Sequence, residues 1–248
     1  MKKSLALTAL TGLSLALAGC GGNKDGASSD VPKVNVGENV PAPAGKAWSD
    51  VVTQTADGGY RMGNENAPVK VVEFGSYTCS HCADFAATSA DGIKEKVETG
   101  KLSFEFRPFV RDPLDMTAAL LAGCNGPDTY FALSHELFGY QGQLFEAVKA
   151  AGDQAYAQAM AQPPAQRFVA AAGITGLLDF VKQRGLTDEK AKQCLADTKA
   201  ADTLASHVQQ STTKYNITGT PTILINDKVV ENAATWDALK EKLTAMGL

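Results

Sequence analysis

The chain has no surplus of basic residues. Its 23 lysines and arginines face 27 aspartates and glutamates, a formal charge of −4, whereas nucleic-acid-binding surfaces usually show the opposite balance. The uncharged run from Leu5 to Ala18 is too short to cross a bilayer, which takes about 20 apolar residues in a helix. Cysteine is scarce, five in 248 residues, and Cys-x-x-Cys spacing occurs once, at Cys79 and Cys82. A structural zinc site needs two further ligands. No second such motif is present, Cys124 and Cys194 are isolated, and His135 and His207 are distant in sequence. Internal repeats are also missing, which excludes solenoids and propellers.

What the chain does have begins with an address. Lys2 and Lys3 precede the apolar run, which ends in Leu17-Ala18-Gly19-Cys20. A positive start, a short apolar stretch and small residues before the cut mark an export signal. These last four residues resemble the bacterial lipobox, whose cysteine becomes the lipidated first residue of the mature protein. An ordinary secretory signal with a chance cysteine is the alternative. Two or more acyl chains anchor a protein stably. Removing residues 1–19 takes away Lys2, Lys3 and no acid, so the charge moves from −4 to −6. Gly21 stands where the familiar inner-membrane retention signal has Asp, which by that rule points to the outer membrane, yet a linker of this length could not cross the periplasm to a partner in the inner membrane, so both membranes stay open. Residues 20–45 are rich in Gly, Ser, Asn, Asp and Pro. They read as a flexible tether reaching roughly 25–30 Å.

The remainder, in a chain that is 44% hydrophobic, is long enough for a full core. Val51 to Met62 reads as a hairpin with Asp57-Gly58 as a two-residue turn. Val69 to Phe74 is a strand rich in β-branched residues. A helix follows from about Cys79 to Thr99, then a strand from Leu102 to Val110 with Leu102, Phe104 and Phe106 on one face. Between about Asp112 and Tyr215 the pattern is helical, with breaks expected at Gly126-Pro127, Gly142, Pro163-Pro164, Gly173 and Gly185. Strands return at Thr222–Ile225 and Lys228–Val230, and a last helix runs from about Thr235 to Ala245. The expected organisation is α/β. A signal peptide covers 1–19 and the tether 20–45. A sheet domain over 46–111 and 216–248 is interrupted by a helical insertion over 112–215.

Cys79-Ser80-His81-Cys82 falls just after a strand, at the start of a helix. Unpaired N–H groups and the positive end of the helix dipole stabilise a thiolate there. The thiolate is the attacking species, and a lowered pKa also makes it a better leaving group. Cys82 is close enough to resolve a mixed disulfide, and His81 lies between the two. A merely structural bridge would gain little chain entropy from so short a loop.

These residues resemble the DsbA family of the thioredoxin fold. Glu73-Phe74, four residues and then Cys79-x-x-Cys82 match its strand–helix core. Gly219-Thr220-Pro221-Thr222 matches its cis-proline loop, and the helical block matches its inserted domain. The resemblance implies a cis Pro221 packed on the cysteines, with Thr220 offering its backbone to an extended partner segment. On the residues alone, a trans proline opening a strand is the commoner case. It also implies that Glu73 is a buried acid moving a proton to or from Cys82 through water; the bare pattern allows a solvated edge-strand glutamate equally well. Relatives can carry a second disulfide in the helical domain, which implies a Cys124–Cys194 bridge rather than two buried free thiols. Ser80-His81 replaces the Pro-His of the best-known oxidase, and Thr220 matches the pattern of related isomerases.

The expected activity is therefore transfer of the Cys79–Cys82 disulfide to reduced cysteines of exported proteins, with reoxidation by a DsbB-type membrane partner. The expectation includes a periplasmic, lipid-anchored monomer that needs no cofactor or metal and binds no nucleic acid. A reductase or isomerase of the same fold is the nearest rival. A metal-handling lipoprotein is the rival of another class, and a holdase with dispensable cysteines is a third. His135 reads as a boundary or core residue, His207 as exposed, and Trp48 and Trp236 as packing residues.

Overall fold

The computed structural model describes residues 31–248 apart from Lys33. The export signal and Cys20 lie outside the described residues, as does the first part of the tether. The elements run β1 (Val52–Gln54), β2 (Tyr60–Gly63), β3 (Val69–Gly75), α1 (Ser80–Glu98) and β4 (Leu102–Pro108). Seven helices follow: α2 (Pro113–Ala122), α3 (Pro127–Ala151), α4 (Asp153–Met160), α5 (Pro164–Ile174), α6 (Leu177–Lys182), α7 (Asp188–Ala196) and α8 (Thr198–Tyr215). Then come β5 (Thr222–Ile225), β6 (Lys228–Val229) and α9 (Trp236–Ala245).

One sheet of order β1-β2-β4-β3-β5-β6 organises the fold. β3 and β4 are parallel and joined through α1, while β5 returns antiparallel to β3 with Glu73 opposite Ile223. The central strand β3 is buried along nearly its whole length, as its run of valines requires of a strand covered on both faces. Side chains alternate across it. Val69 and Val71 enter the large core, while Val72 and Phe74 join Ile217 and Leu224 in a smaller cluster flanked by Phe109 and Tyr215. Glu73 shares the parity of Val71, and so points into the large core.

In β4, Leu102, Phe104 and Phe106 share one face as expected, yet Ser103, Glu105 and Arg107 opposite are buried too. The charges there are paired. Arg107 bridges Glu105 at 2.7 Å and Asp57 at 2.9 Å, and Thr55 Oγ1 donates to Glu105 at 2.6 Å. These contacts tie the hairpin loop to the sheet. That loop is longer than the two-residue turn expected. Gly58 N–H donates to Thr55 O and Thr55 N–H to Gly59 O, leaving Ala56, Asp57 and Gly58 in the turn. Gly58 sits at φ +79°, a conformation open to glycine at no steric cost.

One break expected from glycine, at Gly142, is not where a helix ends. α3 runs unbroken through Gly139 and Gly142. Its buried residues Tyr130, Leu133, Leu137, Phe138, Gln141 and Leu144 recur at helical spacing. That packing outweighs the cost of about 1 kcal/mol per internal glycine. The chain breaks instead at Gly152, at φ +80°, between α3 and α4. The stretch from Asp188 to Val208 forms two helices, because the Asp197 side chain accepts from Ala200 N–H and caps α8.

The described part of the tether lies on the domain. Val31, Val34, Val36 and Ala42 pack against the core, and Val40 N–H donates to Thr99 O at 2.9 Å. Trp48 Nε1 donates to Val40 O at 2.7 Å, and both Trp48 N–H and Ser49 N–H bind the Glu98 carboxylate. The spaced valines supply the apolar surface that the composition of the whole stretch hides. Cys124 and Cys194 are joined by a disulfide that spans 70 residues and ties the end of α2 to α7. In the chain-entropy model a loop of that length contributes about 4 kcal/mol. Replacing both cysteines with alanine should therefore lower the urea midpoint clearly, with an m-value that rises because the unfolded chain is no longer held compact by the bridge. An unchanged midpoint would show that the bridge adds no stability.

Candidate active site

The loop Ser76-Tyr77-Thr78 leads from the end of β3 into α1, and Cys79 occupies the N-cap position of that helix. No side chain caps it, so the free N–H groups of the first turn are left facing the cysteines. Cys82 N–H and Ala83 N–H donate to Cys79 O at 3.1 Å, closing the first turn. Both cysteines are free thiols; Cys82 is fully buried and Cys79 is 5% exposed. Ser76 N–H approaches Cys82 Sγ at 3.5 Å, and Cys79 Sγ donates to Thr220 O at 3.2 Å.

Thr220 is brought there by the sheet. β5 pairs with β3 so that Thr222 lies opposite Phe74, which puts the preceding loop beside the start of α1. The Thr220–Pro221 peptide is cis. His81 is exposed and, with Asp84, Phe85, Pro221 and Trp236, lines an open cavity of about 530 Å³ next to Cys79. Trp236 packs across Gly92 of α1, where a Cβ would fall 2.0 Å from the indole.

The two sulfurs have opposite electrostatics. Burial works against an anion at Cys79. Contacts with Thr220 and with the backbone and side chain of Cys82, together with the Arg111 charge, outweigh it and lower the thiol below its ordinary range. Burial and the nearby Glu73 and Cys79 push Cys82 far up, so it stays protonated. Glu73 is 2% exposed, and its Oε1 has no hydrogen-bond partner. Burial, with a contribution from Cys79, raises its carboxyl to about 8. It lines a cavity of about 490 Å³ between α1 and α3, with Ser89, Ser134 and Phe106.

Several residues that the sequence did not single out build this site. Asp112 caps α2 ahead of Pro113 and accepts from Thr78 Oγ1 at 2.7 Å. Asp115, 1% exposed, accepts from Tyr77 N–H at 2.8 Å and Arg111 N–H at 3.0 Å. Burial lifts its carboxyl to about 6 against the pull of those donors. Gln141 of α3 donates to Tyr77 O at 2.8 Å and Cys79 O at 3.0 Å. Tyr77 OH meets Tyr130 OH and Ser134 Oγ at 3.2 and 2.9 Å. The Asp-Pro pair was a legible helix start; the Gln141 contact spans 62 residues and leaves no local signal.

The other expected residues lie elsewhere. The Cys124–Cys194 bridge lines a separate cavity with Tyr60 and His207. His207 is not exposed but half-buried against Gly58, and His135 is exposed rather than in the core. Among the described residues, no group of three His, Cys, Asp or Glu side chains is placed to hold a metal ion.

A thioredoxin family model matches residues 55–245, most of the chain. The protein belongs to the thioredoxin family. The crystal structure of a protein-disulfide isomerase from Novosphingobium aromaticivorans is 32% identical, with a TM-score of 0.72, covering 77% of this chain and 98% of that one. Disulfide bond formation protein D of Bacillus subtilis is 28% identical over 73% of this chain and 74% of its own. A Rickettsia bellii protein that carries the name of a protein-disulfide oxidoreductase is 28% identical over 69% of this chain. The match takes in 58% of that relative, and 52–58% of its counterparts in other Rickettsia species, so the chain spans under two thirds of their length. The DsbA-like resemblance read from the motifs is matched by a family model over residues 55–245, a range that takes in the inserted helices.

A buried thioredoxin-fold acid has a consequence for stability. The Glu73 carboxyl sits at about 8 when folded against an ordinary value of 4.5. The native state therefore binds the extra proton, and stability falls as pH rises from about 4.5 to about 8. With Cys79 and Cys82 reduced, Glu73→Gln should be the more stable protein at pH 7.5, by at most about 4 kcal/mol. The two proteins should converge at pH 4. Urea unfolding across this range tests it; a gap that grows toward acid pH would contradict a raised carboxyl.

Proposed function

We propose that the protein is an exported thiol–disulfide oxidoreductase that oxidises cysteine pairs of other exported proteins. The observation that carries this is the asymmetric pair: Cys79 at the helix start with a lowered pKa, Cys82 buried with a raised one. In the oxidised form a partner thiolate attacks Cys79 Sγ. The bond between Cys79 and Cys82 breaks, and Cys82 leaves with its electron pair and takes a proton. A second partner thiolate then attacks the partner's own sulfur in the mixed disulfide, and Cys79 leaves as a thiolate. The partner has lost two electrons and the pair has gained them.

Glu73 is the proton carrier for Cys82 in this reading, through water. Its buried, unpaired Oε1 and a pKa near 8 suit exchange near neutral pH. Thr220 presents its backbone to an extended partner segment beside Pro221, a form of strand addition. The adjoining cavity with Phe85 and Trp236 suits an apolar side chain of that segment. A DsbB-type membrane protein restores the disulfide. The lipobox-like Leu17-Ala18-Gly19-Cys20 supports lipid anchoring at Cys20 and a periplasmic location. We read the protein as a monomer without cofactor.

An isomerase or reductase role is the second reading. Thr220 before Pro221 favours it, as does the 32% identity to a protein-disulfide isomerase. The reduction potential of the Cys79–Cys82 pair in glutathione buffers separates the two. A value near ~−120 mV is the result expected of a disulfide donor, and one near ~−270 mV would make it a reductase. Cys79→Ser should abolish disulfide transfer to a reduced model protein, whereas Cys82→Ser should accumulate the mixed disulfide. Wild-type transfer by Cys79→Ser would end the thiol–disulfide reading altogether.

A further inference from the structure

Arg111 follows β4 and precedes the Asp112 cap of α2. Its backbone N–H is fixed by Asp115, its Nε donates to Ser76 Oγ at 3.0 Å, and its Nη2 donates to Thr78 Oγ1 at 3.3 Å. Both hydroxyls belong to the three-residue loop that ends at Cys79. The guanidinium is therefore clamped to the segment that carries the reactive sulfur. Arginine side chains usually meet carboxylates in such settings. Among the described residues, however, Arg111 forms no ion pair. The acids on its own segment are engaged otherwise: Asp112 by Thr78 and the first turn of α2, Asp115 by two backbone N–H groups.

We propose that Arg111 is a positioning residue of this site, a fixed and unneutralised positive charge that stabilises the Cys79 thiolate and makes the pair more oxidising. This rests on the thiol–disulfide reading above and assigns a residue to it. The charge acts in the second exchange step, where the sulfur–sulfur bond of the mixed disulfide breaks and Cys79 departs with the electron pair. An opposite charge nearby favours the ionised form of the leaving thiol, which speeds departure and stabilises the reduced enzyme. It adds to the N-terminal dipole of α1. Thr220 and Cys82 act in the same direction through their contacts with the sulfur. Glu73 is protonated at neutral pH and His81 is exposed to solvent, and the Asp112 carboxylate, which shares Thr78 Oγ1 with the guanidinium, opposes it. A sequence reading had no reason to find it, because Arg111 lies 32 positions from Cys79 and at no motif position.

The test compares the full protein with Arg111→Gln, Arg111→Lys and Ser76→Ala. The pKa of Cys79 is followed by thiolate absorbance, and the potential by glutathione equilibrium. Arg111→Gln should raise the Cys79 pKa and lower the oxidising equilibrium constant roughly three- to tenfold, a tenfold change being about 30 mV for a two-electron couple. Arg111→Lys should restore most of it, and added salt should shrink the gap between wild type and Gln, as it does for an exposed charge. Ser76→Ala removes one of the two loop contacts but keeps the charge, and should give a smaller shift than Gln. Far-UV circular dichroism checks that each variant folds. The proposal is overturned if Gln leaves both readouts at wild-type values. It is equally overturned if Lys behaves like Gln, since the loop contacts alone would then be responsible. Loss of transfer by wild type would instead defeat the thiol–disulfide reading, because the pKa readout does not depend on turnover.

Discussion

The site depends on keeping one sulfur at the start of α1 close to ionisation while a second sulfur, three residues on, is denied water. The two requirements pull against each other. The same covering that protonates Cys82 also penalises an anion at Cys79, and burial is indeed the largest effect on both. The helix start resolves the conflict because its field has a direction. The free N–H groups and dipole end act at Cys79, on the N-cap, and fade within the first turn. Cys82 lies inside that turn with its side chain directed into the core.

The inserted helices are part of this arrangement. The loop from Ser76 to Cys79 has few backbone partners of its own, so its carbonyls and N–H groups are met by side chains from outside the sheet domain. Gln141 of α3 holds the carbonyls of Tyr77 and Cys79, and Asp115 of α2 holds the N–H of Tyr77. Tyr77 itself reaches back into α3 through its hydroxyl. An unpaired buried backbone group costs on the order of 1–3 kcal/mol. These contacts keep the loop from reordering to satisfy itself, and so keep the cysteine at the helix start rather than one residue off it.

The division between what the sequence disclosed and what it withheld follows the range of the interactions. Cys79 at a helix start, the strand before it, the start of the last helix near Thr235 and the break at Gly126-Pro127 are local signals, and all read correctly. The unbroken α3 did not, because the residues that outweigh Gly142 pack against distant elements. The valines of residues 31–36 were hidden inside a polar average. Asp115, Gln141 and Arg111 left no trace, since each meets the cysteine loop only after the chain has folded. Glu73 is an intermediate case: its position relative to Cys79 suggested a role, and only strand parity together with the cover of α1 and α3 makes it buried.

The two raised acids, Glu73 and Asp115, mark where stability was given up. Their carboxyls sit at about 8 and about 6 although an exposed acid would ionise near 4, so folding works against their charge at neutral pH. Apolar residues of similar size would fit these positions without that penalty. Asp115 has a structural return, two backbone N–H groups that nothing else satisfies. Glu73 has none, because its Oε1 binds nothing among the described residues. A buried group that is costly to fold and idle at rest is better explained by what it does during turnover than by what it holds. In the proposed reaction, that cost falls next to Cys82, the sulfur that would gain and lose a proton each cycle.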